Sequence, residues 1–179
     1  MKVLRNELYN DLNLRVEMDF PKKGVEFIDI TPLILDKNVF KEITTILVDE
    51  LKDKEIDYIL CPEARGFIFG TSVAYELNKG IIPVRKKGKL SPSTVAACFE
   101  YEKEYGKDYM ELPKLIDGDY NNKNFYIIDD IYATGNTMKA IINEVKKLGG
   151  NVVGYAAVIN IKELNNDSNV FSIVDINEG

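Results

Sequence analysis

The chain of 179 residues contains no histidine. That absence removes Ser-His-Asp and Cys-His nucleophilic catalysis and every histidine-containing zinc site. Its only two cysteines, Cys61 and Cys98, cannot make a structural zinc site alone or a framework of disulfides. So few cysteines suit a reducing compartment, and the expected location is the cytoplasm. Any proton transfer falls to Asp, Glu, Lys or Tyr. No apolar run approaches the roughly 20 residues needed to cross a bilayer, so no membrane partner is expected. The N-terminal stretch interleaves Arg5, Glu7 and Asp11 with Leu4, Leu8 and Leu12, without a signal-peptide core. Repeats, low-complexity tracts and linkers are lacking too. Basic residues are outnumbered, 23 Lys and Arg against 29 Asp and Glu, and the net charge of −6 speaks against nucleic acid as a partner. An anionic substrate needs a local basic patch working against that field.

What is present reads as one globular domain. Apolar residues make up 45% and charged residues 29%, enough for a sizeable core. Val39, Ile43, Ile46, Leu47 and Leu51 recur at helical spacing after Asp36, a candidate N-cap. Short apolar runs at Tyr58–Cys61, Ile81–Val84, Phe125–Ile128, Val152–Ile159 and Val170–Val174 read as buried strands. Helices are expected from about Gly66 to Leu77, and from the end of the Phe125 run to Leu148, where Gly149-Gly150 stops the turn. Residues 86–106 read as an irregular loop, basic first, then Ser/Pro/Thr-rich, then acidic and aromatic. Alternating short strands and helices predict an α/β fold with a mostly parallel central sheet flanked by helices.

The most informative stretch is Phe125-Tyr-Ile-Ile-Asp-Asp-Ile-Tyr-Ala-Thr-Gly-Asn-Thr-Met-Lys-Ala140. It reads as a buried strand, two adjacent acids, a small-residue turn and a helix start. The first N–H groups of a helix have no internal partner and carry partial positive charge, so Ala133, Thr134, Gly135, Asn136 and Thr137 form a cradle for a phosphate. Asp129 and Asp130, expected where the strand ends, suit sugar hydroxyls, or magnesium through water. The run lacks the Gly-Lys-Ser/Thr ending of a nucleotide triphosphatase loop.

Three further clusters carry chemistry. Pro62-Glu-Ala-Arg-Gly-Phe-Ile-Phe-Gly70 follows a strand and opens a helix, with Arg65 able to bind phosphate bidentately and Gly66 admitting a close approach. Arg85, Lys86, Lys87 and Lys89 fall within five positions of an otherwise acidic chain. Glu100, Glu102 and Glu104 punctuate the segment that ends in Tyr105-Gly106.

The Asp-Asp run resembles the PRPP-binding motif of type I phosphoribosyltransferases. The resemblance implies that Asp129 and Asp130 hold the ribose hydroxyls of phosphoribosyl pyrophosphate (PRPP) and that residues 133–137 hold its 5′-phosphate. Asn136 stands where that family often has a second Gly, and Asn tolerates positive φ better than most residues. Glu63-Ala-Arg-Gly-Phe67 is similar to the pyrophosphate loop of adenine phosphoribosyltransferases, which implies a non-proline cis peptide joining Glu63 to Ala64. It also implies pyrophosphate binding by Glu63, Ala64, Arg65 and Gly66. Val84-Arg-Lys-Lys-Gly-Lys-Leu90 resembles the segment that adds Arg85, Lys86 and Lys89 to that site, partly across a dimer interface; Ser91 replaces the usual Pro after it. Glu104-Tyr105-Gly106 resembles the catalytic loop, implying catalytic roles for Glu104, Tyr105 and Arg65, although Glu100 and Glu102 stay open as the acid facing the base. Phe20-Pro-Lys-Lys-Gly-Val-Glu-Phe-Ile-Asp-Ile-Thr-Pro-Leu33 resembles the hood over the base and implies contacts from Val25, Phe27 and Ile28, with Ile28 where Arg or Lys is usual.

Together these segments imply a single phosphoribosyltransferase domain over 1–179, with a hood segment over about 1–35 and a flexible catalytic loop over about 86–106. The implied reaction is purine salvage: adenine plus PRPP to AMP and pyrophosphate, with Mg2+ as cofactor and a homodimer as the assembly. Another purine base (hypoxanthine, guanine or xanthine) stays open as the acceptor, and a PRPP-sensing regulator is the remaining alternative.

Overall fold

The structure, a computed structural model, describes residues 14–19, 23, 26–103 and 106–176. The chain forms two compact units, Met1–Ile46 and Leu47–Gly179. In the first, strands β1 (Arg15–Met18) and β2 (Glu26–Asp29) pair antiparallel, with Val16 opposite Ile28 and Glu17 opposite Phe27. The Asp29 carboxylate accepts the N–H of Thr31 and leads into a short helix, α1 (Thr31–Leu35), with Pro32 in its first turn. Helix α2 (Lys37–Leu51) runs on into the second unit. Asp36 caps it as its sequence position suggests: Oδ1 accepts the N–H groups of Asn38 at 2.8 Å and Val39 at 3.2 Å. Ile43, Leu47 and Leu51 lie on its buried stripe.

The second unit is built on a seven-stranded sheet. It comprises β3 (Tyr58–Pro62), β4 (Gly80–Lys86), β5 (Val95–Lys103), β6 (Gly106–Pro113), β7 (Asn124–Tyr132), β8 (Asn151–Ile161) and β9 (Phe171–Ile176). Their order across the sheet is β5-β6-β4-β3-β7-β8-β9. Strands β4, β3, β7, β8 and β9 pair parallel, which fits their near-continuous apolar runs. Helix α3 (Gly66–Glu76) packs on β3, β4 and β7, and α4 (Asn136–Lys147) packs on β8 and β5. Met138, Ile141 and Val145 form the buried face of α4, each contributing about 1.5–3 kcal/mol through burial. Lys146 and Lys147 complement its C-terminal dipole, and Leu148 closes it.

Two expectations change. Residues 86–106 are not an irregular loop throughout: Val95–Lys103 is β5, the first strand of an antiparallel hairpin with β6, a strand absent from the sequence reading. Phe99 and Tyr101 are buried while Glu100 and Glu102 face solvent, so the two-residue period of a strand lies beneath what reads as acidic loop. The motif strand also does not end at the acids. Pairing of Asp129 with Ala157 and of Ile131 with Ile159 carries β7 through both carboxylates to Tyr132.

Candidate active site

The carboxyl ends of β3, β4 and β7 place the clusters picked out above along one edge of the second unit. After β7, residues 133–135 turn into α4, with Gly135 as the N-cap residue at φ +76°. That left-handed conformation suits glycine, and a Cβ there would also collide with the Tyr132 hydroxyl. No side chain caps the helix, and Thr134 Oγ1 lies a long 3.5 Å from the Asn136 N–H. A cavity of about 280 Å³ opens against this helix start, lined by Asp129, residues 131–138 and Glu102 from the β5–β6 hairpin. The geometry suits an anion bound through backbone N–H groups at the positive end of a helix.

The two acids at the end of β7 sit in different surroundings. Asp129 Oδ1 accepts the N–H of Asp130 at 2.9 Å and adjoins the first residue of α3. A Cβ on Gly66 would stand 2.9 Å from that oxygen and 3.0 Å from the Ile128 carbonyl, so only glycine lets helix and strand meet this closely. Burial, reinforced by the charge of Asp130, pushes the Asp129 carboxyl well above the usual carboxylate range, with Arg65 opposing. Asp130 is buried, and its Oδ2 stands 2.8 Å from Arg65 Nε. This is an ion pair by distance without hydrogen-bond alignment, since Oδ2 has no hydrogen-bond partner among the described residues. A buried carboxylate oxygen without an aligned donor is costly, and a ligand hydroxyl would satisfy it.

The third cluster is organised by carboxylates. The Glu63–Ala64 peptide is cis, as the resemblance implies. Glu63 Oε2 accepts both Arg85 Nε and the Lys86 N–H, each at 2.9 Å. Burial raises this carboxyl, but those two donors outweigh it and hold Glu63 below its ordinary range. Glu63 is thereby engaged with Arg85, whose guanidinium also lies 5.8 Å from the Phe67 ring centre. Buried Glu111 on β6 orders the following turn by accepting the N–H groups of Gly88 at 3.0 Å and Leu90 at 3.3 Å. Lys86 and Lys89 stay exposed on it, and Lys87 sits 4.8 Å over the Tyr109 ring.

Of the three hairpin acids, Glu100 is engaged: Lys107 Nζ lies 2.6 Å away and the Tyr109 hydroxyl donates to it at 3.0 Å. Glu102 lines the cavity at the start of α4. Glu104 and Tyr105, like Val25, lie outside the described residues. Phe27 is half-buried and Ile28 buried, both on β2 of the first unit.

Residues 33–178 match the model of the phosphoribosyl transferase domain. The chain belongs to this family. An adenine phosphoribosyltransferase of Caldicellulosiruptor saccharolyticus is 49% identical over 153 residues, spanning 86% of this phosphoribosyl transferase and 85% of that protein. The crystal structure of adenine phosphoribosyltransferase from Thermoanaerobacter pseudethanolicus superposes with a TM-score of 0.85 at 36% identity, covering 96% of this chain and 99% of that one. The Saccharomyces cerevisiae enzyme, complexed with D-2,5-dideoxy-2,5-imino-altritol 1,6-bisphosphate and adenine, gives 0.80 at 33% identity, covering 97% and 99%. The type I phosphoribosyltransferase fold expected from the motifs is the fold observed.

Sequence reasoning about this phosphoribosyl transferase missed three supporting residues. Glu111 lies far in sequence from the acceptor it organises, in a strand hidden by charge. Asn165 and Asp167 sit in Leu164-Asn-Asn-Asp-Ser-Asn169, which looks like ordinary turn chemistry. One signal was available: Asn160 is a fully buried amide amid the apolar residues of β8, and such a group needs partners.

Proposed function

We propose that this chain transfers the phosphoribosyl group of PRPP to N9 of adenine, forming AMP and pyrophosphate. The Arg65–Asp130 ion pair carries this reading, because it joins the loop suited to pyrophosphate to the acids suited to ribose. Their order along one sheet edge, at the ends of β4, β3 and β7, suits a ligand that carries a pyrophosphate, two hydroxyls and a 5′-phosphate in sequence. The choice of adenine rests on the relatives, whose names specify that base.

In this proposal the C1′–O bond to pyrophosphate breaks as the C1′–N9 bond forms, and the purine gives up its N7 proton. Residues 133–137 hold the 5′-phosphate, and Asp129 and Asp130 hold the ribose hydroxyls. Arg65, Arg85, Lys86 and Lys89 stabilise the departing charge, with Glu63, Ala64 and Gly66 shaping the loop. Glu104 takes the proton beside Tyr105. Val25, Phe27 and Ile28 contact the base, through backbone atoms at Ile28. The working form is a cytoplasmic homodimer.

Magnesium fits the donor set on one condition. Asp129 and Asp130 offer hard oxygens, and Asp130 Oδ2 lacks a hydrogen-bond partner among the described residues. Among the described residues no group of three or more ligands gathers, so the metal must take most of its oxygens from the substrate. When bound, it neutralises charge on the pyrophosphate.

The test is pyrophosphate release from PRPP and magnesium with adenine, hypoxanthine, guanine and xanthine side by side. Strong preference for adenine is expected. Preference for another base would move the specificity, and PRPP binding without release would indicate a sensor. Asp130→Asn should lower turnover by more than about tenfold, the scale of one charge-assisted contact. Near-normal kinetics in that variant would overturn the ribose assignment.

A further inference from the structure

The segment that follows β8 reaches back to the phosphate loop through two side chains. Asn165 Nδ2 donates to the Ala133 carbonyl at 2.8 Å, and lies 3.0 Å from Asn160 Oδ1 and 2.9 Å from the Ile161 carbonyl. Its own Oδ1 accepts the Asp167 N–H at 3.1 Å. Asp167 Oδ2 in turn accepts two phenol hydroxyls, from Tyr132 and from Tyr155, each at 2.6 Å. The two rings stack with centres 6.0 Å apart and planes 17° from parallel. Burial raises the Asp167 carboxyl, but the two tyrosine donors and the Asn169 N–H outweigh it and hold it below the ordinary range, so it acts as an acceptor.

Both contacts land on the turn that makes the cradle. A trans peptide points its C=O and the next N–H in opposite directions. Holding the Ala133 carbonyl on Asn165 therefore directs the Thr134 N–H away from Asn165, and Thr134 lines the cavity while Asn165 does not. A peptide flipped the other way would present a carbonyl oxygen to the phosphate. The second contact fixes Tyr132, whose hydroxyl fills the space under Gly135 where a Cβ would stand. Gly135 begins α4, so the Asp167–Tyr132 bond sets the height of the helix start against the cavity floor.

We propose that Asn165 and Asp167 are positioning residues for the 5′-phosphate: they hold the phosphate loop, through Ala133 and Tyr132, in its anion-accepting arrangement before substrate arrives. This rests on the reading of residues 133–137 as the phosphate site of PRPP. A preorganised cradle affects the ligand that fills it and not the base. Loss of either contact should weaken sugar-phosphate binding selectively.

The experiment measures ribose 5-phosphate binding by calorimetry, with KM for PRPP and for adenine, in wild type, Asn165→Ala, Asn165→Asp and Tyr132→Phe. Asn165→Ala should raise the ribose 5-phosphate Kd and the KM for PRPP about tenfold, with KM for adenine unchanged. Asn165→Asp cannot donate and should fail to rescue. Tyr132→Phe deletes one oxygen and leaves the ring, so it should fold even if the Asn165 variants do not, and should raise the same two constants about threefold. Folded variants with a lowered Tm and wild-type constants would reduce these residues to structural parts and sink the inference. Equal rises in both KM values would do the same. If wild type itself binds no ribose 5-phosphate and releases no pyrophosphate, the reading of the site fails instead.

Discussion

Glu63 and Asp130, two acids of the candidate site, are engaged by partners that lie far away in sequence. Glu63 is a carboxylate inside a loop suited to an anion, an arrangement that would repel the ligand if the side chain faced it. Bonding to Arg85 Nε and the Lys86 backbone N–H turns it into a clamp on the Arg85 guanidinium and on the start of the turn instead. Asp130 pairs with Arg65 at 2.8 Å while its Oδ2 has no aligned donor among the described residues. Gly66 keeps the distance between these groups, because any side chain there meets Asp129 Oδ1, the Ile128 carbonyl and Pro62 within 3.0 Å. Two of those three neighbours cannot swing aside, being backbone or proline ring. Gly66→Ala should therefore push α3 off β7, costing about 1–3 kcal/mol as an overpacked contact. Urea denaturation would read that loss, and KM for PRPP should rise with it as Asp129 shifts. A variant of wild-type stability would show that the helix start yields freely.

At the scale of elements, helices were easier to read than the hairpin. The stripe of α2 and its Asp36 cap, and the run of α4 up to Gly149-Gly150, depend on residues close in sequence. Strand β5 depends on β6, through pairs such as Phe99 with Met110 and Tyr101 with Asp108. Its inward side chains join the same buried cluster as Met138 and Ile141 of α4, so the hairpin is anchored on the helix that begins at the cavity. Phe99→Ala should cost up to about 3–5 kcal/mol, less to the extent that the site collapses. Amide exchange should quicken across β5 and β6 while β3, β7 and β8 keep their protection. Uniform loss of protection over the sheet would show that the hairpin folds as one unit with the rest.

At the scale of the molecule, an acidic chain of net charge −6 gathers Arg85, Lys86, Lys87 and Lys89 within five positions and raises one carboxyl, that of Asp129 on β7. Asp129 gives a pH dependence whose sign follows from burial and from the Asp130 charge, with Arg65 opposing. Its folded value lies above its unfolded value of about 3.9, so the folded state keeps a proton that the unfolded chain releases. The stability it contributes is fully present below the unfolded value and is lost as pH rises through the folded one. Glu63 and Asp167, held low, act in the other direction: their contribution is present above the ordinary carboxylate range and lost on acidification. Asp129→Asn should therefore gain on wild type as pH rises above the usual carboxylate range, seen as diverging urea midpoints. Parallel curves would mean that Asp129 titrates alike in both states. The α/β class, most strand and helix positions, and the segments whose chemistry suits phosphate and sugar were written in local order, because backbone periodicity, helix-start chemistry and short motifs act over a few residues. Only the tertiary structure decided that β5 and β6 form a hairpin, that β7 runs through both acids, and that Glu111, Asn165 and Asp167 hold the site's turns. Those outcomes depend on which distant strand or side chain supplies a missing hydrogen-bond partner, and chain closure over tens of residues leaves no local mark in the sequence.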